Sequence, residues 1–221
     1  MITIVFMNWA RPANTIMNLH RYASYGLVKN VFCFNNGPQL LPSRPLPKKC
    51  VLIQSSENLG LYPRFAAASL ATTEAIFHTD DDLIVPESTL EVLYHHWLGG
   101  QRSCHGLYGR IAHPCYQPGR VFGPVEVLLT RAVVCSRRVN NIALTASDLF
   151  SDLPGKPRGN GEDIILSFAA MWYSQSPNFA HCLPSEDYPS DDRFAIHKMW
   201  PDHLKHRQRV VSRCRQVFLG K

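Results

Sequence analysis

The sequence predicts an α/β fold: a single domain built on a mostly parallel central sheet flanked by helices. Three observations predict it. The first hundred residues alternate between β-branched apolar runs and segments of helical period. The chain has 221 residues, 45% of them hydrophobic, which is enough for one full-sized core. No stretch approaches the roughly 18 apolar residues of a membrane span.

The elements follow in order. ITIVFM (2–7) is β-branched and apolar and reads as a strand. RPANTIMNLHRYASYG places Ile16, Leu19 and Ala23 at helical spacing, with Asn14 as a cap and Gly26 as a stop. VKNVFCFNN and KKCVLIQSS give a second and a third strand, separated by the turn chemistry of NNGP. LYPRFAAASLATTE is a second helix with Pro63 near its start, and AIFHT is a fourth strand. PESTLEVLYHHWLGG makes a third helix, with Leu90, Leu93 and Trp97 on one side. From 104 to 136, Gly and Pro break two or three strand-like pieces. NGEDIILSFAAMWYS then forms a helix whose apolar stripe is Ile165, Phe168, Ala169 and Trp172. A proline-rich stretch and a basic helix complete the chain.

In open sheets of this kind, ligands bind beyond the carboxyl ends of the strands. TDDDL stands at such an end. If strand geometry persists through it, Asp80 and Asp82 share one side and Asp81 takes the other. Two carboxylates about 6 Å apart repel by roughly 3 kcal/mol at an effective dielectric near 20. A divalent cation turns that repulsion into attraction, and carboxylate with water suits magnesium or manganese. Taken alone, the run reads equally well as a solvated turn, with Asp82 or Ser88 capping the next helix. GNGEDI places Glu162 and Asp163 in a first helical turn, where acidic residues stabilise by about 0.3–1 kcal/mol without any catalytic role.

The order of these motifs resembles nucleotide-sugar glycosyltransferases of the GT-A fold, in particular the inverting family-2 and exostosin-like transferases. NWARPAN follows the first strand, DDD ends the fourth, and GNGEDI comes about eighty residues later. The resemblance spans most of the chain. It implies one GT-A-type, Rossmann-like domain over 1–221, in which 1–100 binds the nucleotide sugar and 101–221 completes the site for the acceptor. It further implies metal-dependent transfer from a nucleoside-diphosphate sugar, UDP by default, to a hydroxyl of a glycan or other acceptor.

Residue by residue, Asp82 and Asp80 match the ligands of Mn²⁺ or Mg²⁺, with His197 completing the set. Asp80 and Asp81 also stand against the donor. Asp163 matches the carboxylate facing the acceptor, a general base in the inverting families, and Glu162 helps to orient the acceptor. Arg11, Asn36 and Arg64 fall near the donor's base, ribose and phosphates, and Lys198 near its diphosphate. Each has a plainer reading beside it: Arg64 as a surface helix arginine, Asn36 as turn chemistry, His197 as one of ten histidines. His203 and His206 lack zinc-spaced partners and read as surface residues.

The formal charge of +6 concentrates late, in HKMWPDHLKHRQRVVSRCRQ. It reads equally as a solvated face or as a contact for an anionic ligand or membrane surface, and nucleic acid is not expected. Seven cysteines without CxxC spacing favour buried free thiols in a reducing, cytoplasmic setting. Eleven asparagines without an Asn-x-Ser/Thr acceptor agree. Two rivals remain. A sugar-nucleotide nucleotidyltransferase would carry a glycine-rich signature where NWARPANT stands. A non-catalytic basic module would bind in a strongly salt-dependent way.

Overall fold

The computed structural model describes residues 1–41, 45–100, 102–153, 158–189 and 200–220. The chain opens as expected: β1 (Ile2–Asn8), α1 (Pro12–Ser24), β2 (Val28–Asn35), β3 (Cys50–Gln54), α2 (Pro63–Ser69) and β4 (Ala75–Thr79). Next come β5 (Leu83–Ile84) and α3 (Glu87–Gly99). In place of two or three strand-like pieces, six short strands follow: β6 (His105–Gly106), β7 (Gly109–Ile111), β8 (Gln117–Val121), β9 (Gly123–Val125), β10 (Val127–Leu128) and β11 (Ala132–Ser136). Helix α4 (Arg137–Ala146) runs into a 3₁₀ turn (Ser147–Phe150). The last elements are α5 (Glu162–Ser174), β12 (Asn178–Ala180), β13 (Glu186–Asp187) and α6 (His203–Leu219).

The main sheet has the order β3-β2-β1-β4-β11-β6-β12-β9. Its first four strands are parallel, so their carboxyl ends form one edge. Strand β11 runs antiparallel to β4 and carries Thr130 and Arg131, just before its first residue, back to that same edge. Alternation along β1 sorts the core. Val5 and Met7 face a layer made with α2, α4, α5 and α6, whereas Ile4 and Phe6 face one made with α1 and α3. Both faces are therefore covered, as a parallel sheet requires.

Helix α4 is absent from the sequence reading. Its buried side is narrow, Val139, Asn140, Ala143 and Ala146, and the Arg and Asn around it mask the period. The start signal is Ser136, whose hydroxyl accepts the Val139 N–H at 3.1 Å. Asn14 does not cap α1, which begins at Pro12. Trp172 leaves the predicted stripe of α5: Ile165, Phe168 and Ala169 are buried, but Trp172 is 47% exposed. Four cysteines are buried, Cys50 is half-buried, and Cys115 and Cys182 are exposed; all seven are free.

Three histidines join α3 to the sheet. His105 Nδ1 and His181 Nε2 are 2.9 Å apart, and the His96 ring lies 4.4 Å from that of His181. Burial first, then the neighbouring imidazoles, lowers His105 to about 4; burial and His96 do the same for His181. An ordinary histidine titrates near 6.5. Between those values the unfolded chain binds more protons than the folded one. The stabilisation is therefore full above about pH 6.5 and is lost as pH falls towards 4. We expect this contribution to lower the melting temperature at pH 4.5 relative to pH 7 by about 2–4 °C per kcal/mol lost. Asp81 and Glu162, whose carboxyls burial raises to about 7, pull the other way. His181→Phe narrows that gap; a gap of unchanged width removes the cluster from the acid response.

Candidate active site

The site begins with the turn after β1. Asn8 Oδ1 accepts the Arg11 N–H at 3.2 Å and the Thr15 hydroxyl at 3.0 Å, while its amide donates to Asn35 Oδ1 at 2.6 Å. This ties the ends of β1 and β2 to the start of α1 and sends Arg11 across the strand ends. Asn36 is consumed in a similar way. Its amide donates to Asn58 and to the Gly60 carbonyl, and its oxygen accepts the Leu59 N–H. It shapes the 58–60 loop at the same edge.

Strand geometry stops at Thr79, and the three aspartates form a turn. Each is held by arginine. Asp81 is buried and takes Arg11 Nη1 at 2.8 Å; Asp82 takes Arg11 Nη2 at 3.3 Å and Arg131 at 3.5 Å. Asp80 takes Arg64 Nη2 at 3.1 Å. Burial lifts the Asp81 carboxyl to about 7, with Arg11 pulling the other way. Burial and then the Asp80 charge raise Asp82. The side chains of Asp80 and Asp82 remain 34% and 21% exposed, so these two present oxygen to solvent. Arg131 also pairs with Asp187 and lies over the Tyr108 ring. The Tyr188 N–H bonds the Asp82 carbonyl at 2.9 Å, which straps β13 beside the turn.

Arg64 is not a surface residue. It is buried, donates to the Thr130 carbonyl at 3.3 Å, and places Nε 3.9 Å from Glu162 Oε1. It thereby links the acidic turn to the start of α5. That helix begins after Gly161 at φ +103°, a conformation favouring glycine, where a Cβ would come within 2.9 Å of the Val210 side chain. Glu162 accepts the Thr130 hydroxyl at 2.9 Å; burial and then Asp163 raise its carboxyl to about 7. Asp163 accepts its neighbour Ile164 N–H at 2.9 Å on one oxygen and Arg207 at 2.6 Å on the other.

A cleft of about 630 Å³ brings part of this set together, without Arg11, Asn36, Arg64, Asp81 or Asp82 in its lining. Asp80, Glu162 and Asp163 line it with Arg110, Tyr116, Arg131, Trp200 and Arg207. The last five are cleft residues that the sequence reading did not single out. Arg207 alone had a visible signal, as part of the basic run, but burial against Asp163 and the Tyr116 ring, 4.6 Å away, is a tertiary fact. His203 also lines the cleft, and His206 is buried and bonded to the Asn160 carbonyl at 2.7 Å, so neither is a simple surface residue. His197 and Lys198 lie outside the described residues.

Among the described residues, no three His, Cys, Asp or Glu side chains converge as a complete metal cage. Asp80 lines the cleft and Asp82 is partly exposed with both oxygens against arginine, and the two make up the one or two carboxylates that magnesium-type sites take from protein. Around α6, Lys205 pairs with Asp202, Arg213 with Asp152 and Arg215 with Glu126, so much of the basic run is engaged within the chain. No helix of the described residues is long and apolar enough to cross a membrane.

This edge-of-sheet cleft belongs to a GT-A-like glycosyltransferase. The chain is a member of the glycosyl transferase family 64 domain family, whose pattern it matches over residues 2–220. Membership sets aside the nucleotidyltransferase and the non-catalytic module. Among solved structures, the chain is similar to residues 1–349 of TarS from S. aureus, with a TM-score of 0.56 and 12% identity. That match covers 98% of this chain and 72% of the other; at such identity it speaks for the fold alone. No curated protein matches the chain.

The Asp163–Arg207 pair carries a stability prediction. Removing one partner of a buried pair leaves an uncompensated charge and costs about 3–5 kcal/mol. Arg207→Met is expected to lose that much in urea denaturation, and adding Asp163→Asn recovers part of it. A loss below about 1 kcal/mol, the size of an exposed pair, would mean that water screens the two groups.

Proposed function

We propose that this glycosyltransferase takes its sugar from a nucleoside-diphosphate sugar, with UDP as the nucleotide, and that Mn²⁺ or Mg²⁺ held by Asp82 and Asp80 binds the diphosphate. The supporting observation is that Asp80 of the acidic turn shares one cleft with Glu162 and Asp163, with Arg64 spanning the two. Arg11, which emerges from the β1–α1 turn, would meet the nucleotide end of the donor, and Asn36 shapes the loop beside it. When bound, the cation supplies charge stabilisation for the departing diphosphate. His197 as a further ligand and Lys198 at the diphosphate complete the proposal.

Asp163 is the proposed residue at the reaction centre. Both its oxygens are engaged, one by Arg207 and one by a backbone N–H. It thus offers a fixed negative charge beside the acceptor more readily than an open lone pair for proton removal. Glu162, hydrogen-bonded to Thr130, orders the acceptor side of the same helix start.

Calorimetry with UDP, with and without Mn²⁺, tests the donor half. Asp82→Ala is expected to abolish the metal-dependent part of UDP binding. Asp163→Asn is expected to spare UDP binding but lower turnover of a UDP-sugar panel by about 10²–10³-fold, the scale of one lost electrostatic stabiliser. UDP binding that ignores chelation, or wild-type turnover in Asp163→Asn, would contradict the assignment.

A further inference from the structure

A second hollow, of about 840 Å³, lies between α4, the end of α2 and the end of α5. It shares no lining residue with the cleft. Glu74 and Arg137, at the ends of β4 and β11 remote from the acidic turn, belong to it. Asp163 and Trp172 stand at opposite ends of α5, about 14 Å apart along its axis. One side of the chain from Arg138 through Asn141 and Thr145 to Leu149 forms a floor roughly 16 Å long at helical rise. Trp172, 47% exposed, lines the same hollow.

We propose that this groove binds a chain of pyranose rings, as a glycan-anchoring subsite separate from the reaction centre. It rests on the groove's own chemistry and on the chain's family, not on the donor assignment. A pyranose has an apolar face of C–H bonds and a rim of hydroxyls, so it needs a flat aromatic surface with hydrogen-bonding groups around it. Trp172 provides the surface, with an indole that combines large apolar area and a polar N–H. Asn141 provides part of the rim: its carboxamide oxygen accepts the Ser69 hydroxyl at 2.9 Å, which orients its NH₂ group. Thr145 and Glu74 add a hydroxyl and a carboxylate, and the Arg138 guanidinium lies over the Tyr173 ring at 5.4 Å.

Other occupants fit less well. An anion would meet the Glu74 carboxylate, and Arg137 already donates to the Ala71 carbonyl at 3.1 Å. A second protein surface would need a larger apolar centre than Trp172, Leu149 and Ile142 provide.

The test is calorimetric titration of the whole chain with cellotetraose and with chitotetraose, in EDTA and without nucleotide. Saturable binding of at least one is expected. Trp172→Ala is expected to weaken it by about tenfold, the scale of one lost aromatic stacking contact. Asn141→Ala weakens it by less, and Asp163→Asn leaves it unchanged. Both groove residues lie at the surface of the groove, and thermal melts confirm that each variant is folded. Binding of neither tetrasaccharide, or wild-type affinity in Trp172→Ala, overturns the proposal. Binding lost instead in Asp163→Asn places the sugar in the cleft and overturns it too. A wild-type chain that takes the tetrasaccharide but no UDP supports the groove while removing the donor assignment.

Discussion

Arg64 is the charge on which the cleft depends. Buried at the start of α2, it reaches Asp80 on one side and Glu162 on the other and also holds the Thr130 carbonyl. Without a cation there, two acidic clusters would face one another across a partly dry space, where each like-charge pair is costly. The fold thus brings its carboxylates together only because Arg11, Arg64, Arg131 and Arg207 are threaded between them. Such neutralisation keeps the site folded and leaves Asp80 and Asp82 partly open to a ligand.

The backbone serves this arrangement. Parallel strands β1, β2 and β4 end at one edge, and β11 returns to it from the opposite direction, so turns from distant parts of the chain converge there. Asn8 and Asn36 brace those turns with side-chain hydrogen bonds, Asn8 to Asn35 and the Arg11 N–H, and Asn36 to the 58–60 loop. Helix α5 then presents Glu162 and Asp163 at its first turn, with Gly161 permitting the close approach to α6 that brings Arg207 within reach.

Much of the first hundred residues was legible in the sequence, because runs such as ITIVFM and AIFHT are buried on both faces and punctuated by Gly, Pro and Asn. The acidic turn and the Glu162–Asp163 helix start were legible for the same local reason. Helix α4 was not, since its buried side is made of small and polar residues whose value lies in contacts such as Asn140 with His78 and the Phe65 carbonyl. The arginine partners were also hidden. Which carboxylate Arg64 or Arg207 meets is decided by residues 16 and 44 positions away, and no local pattern encodes that. Trp172 shows the converse failure: helical period placed it on the buried stripe, yet it is exposed between the half-buried Met171 and Tyr173.

The central claim is that the arginine-braced turn at 80–82 receives the donor's phosphates opposite Asp163. Anomalous diffraction at the manganese edge, from crystals grown with UDP and Mn²⁺, tests it most directly. The account requires a peak in direct ligation of Asp82 and Asp80, on the side open to Asp163, with the diphosphate against it. A manganese peak elsewhere, or a diphosphate seated away from this turn, would contradict it.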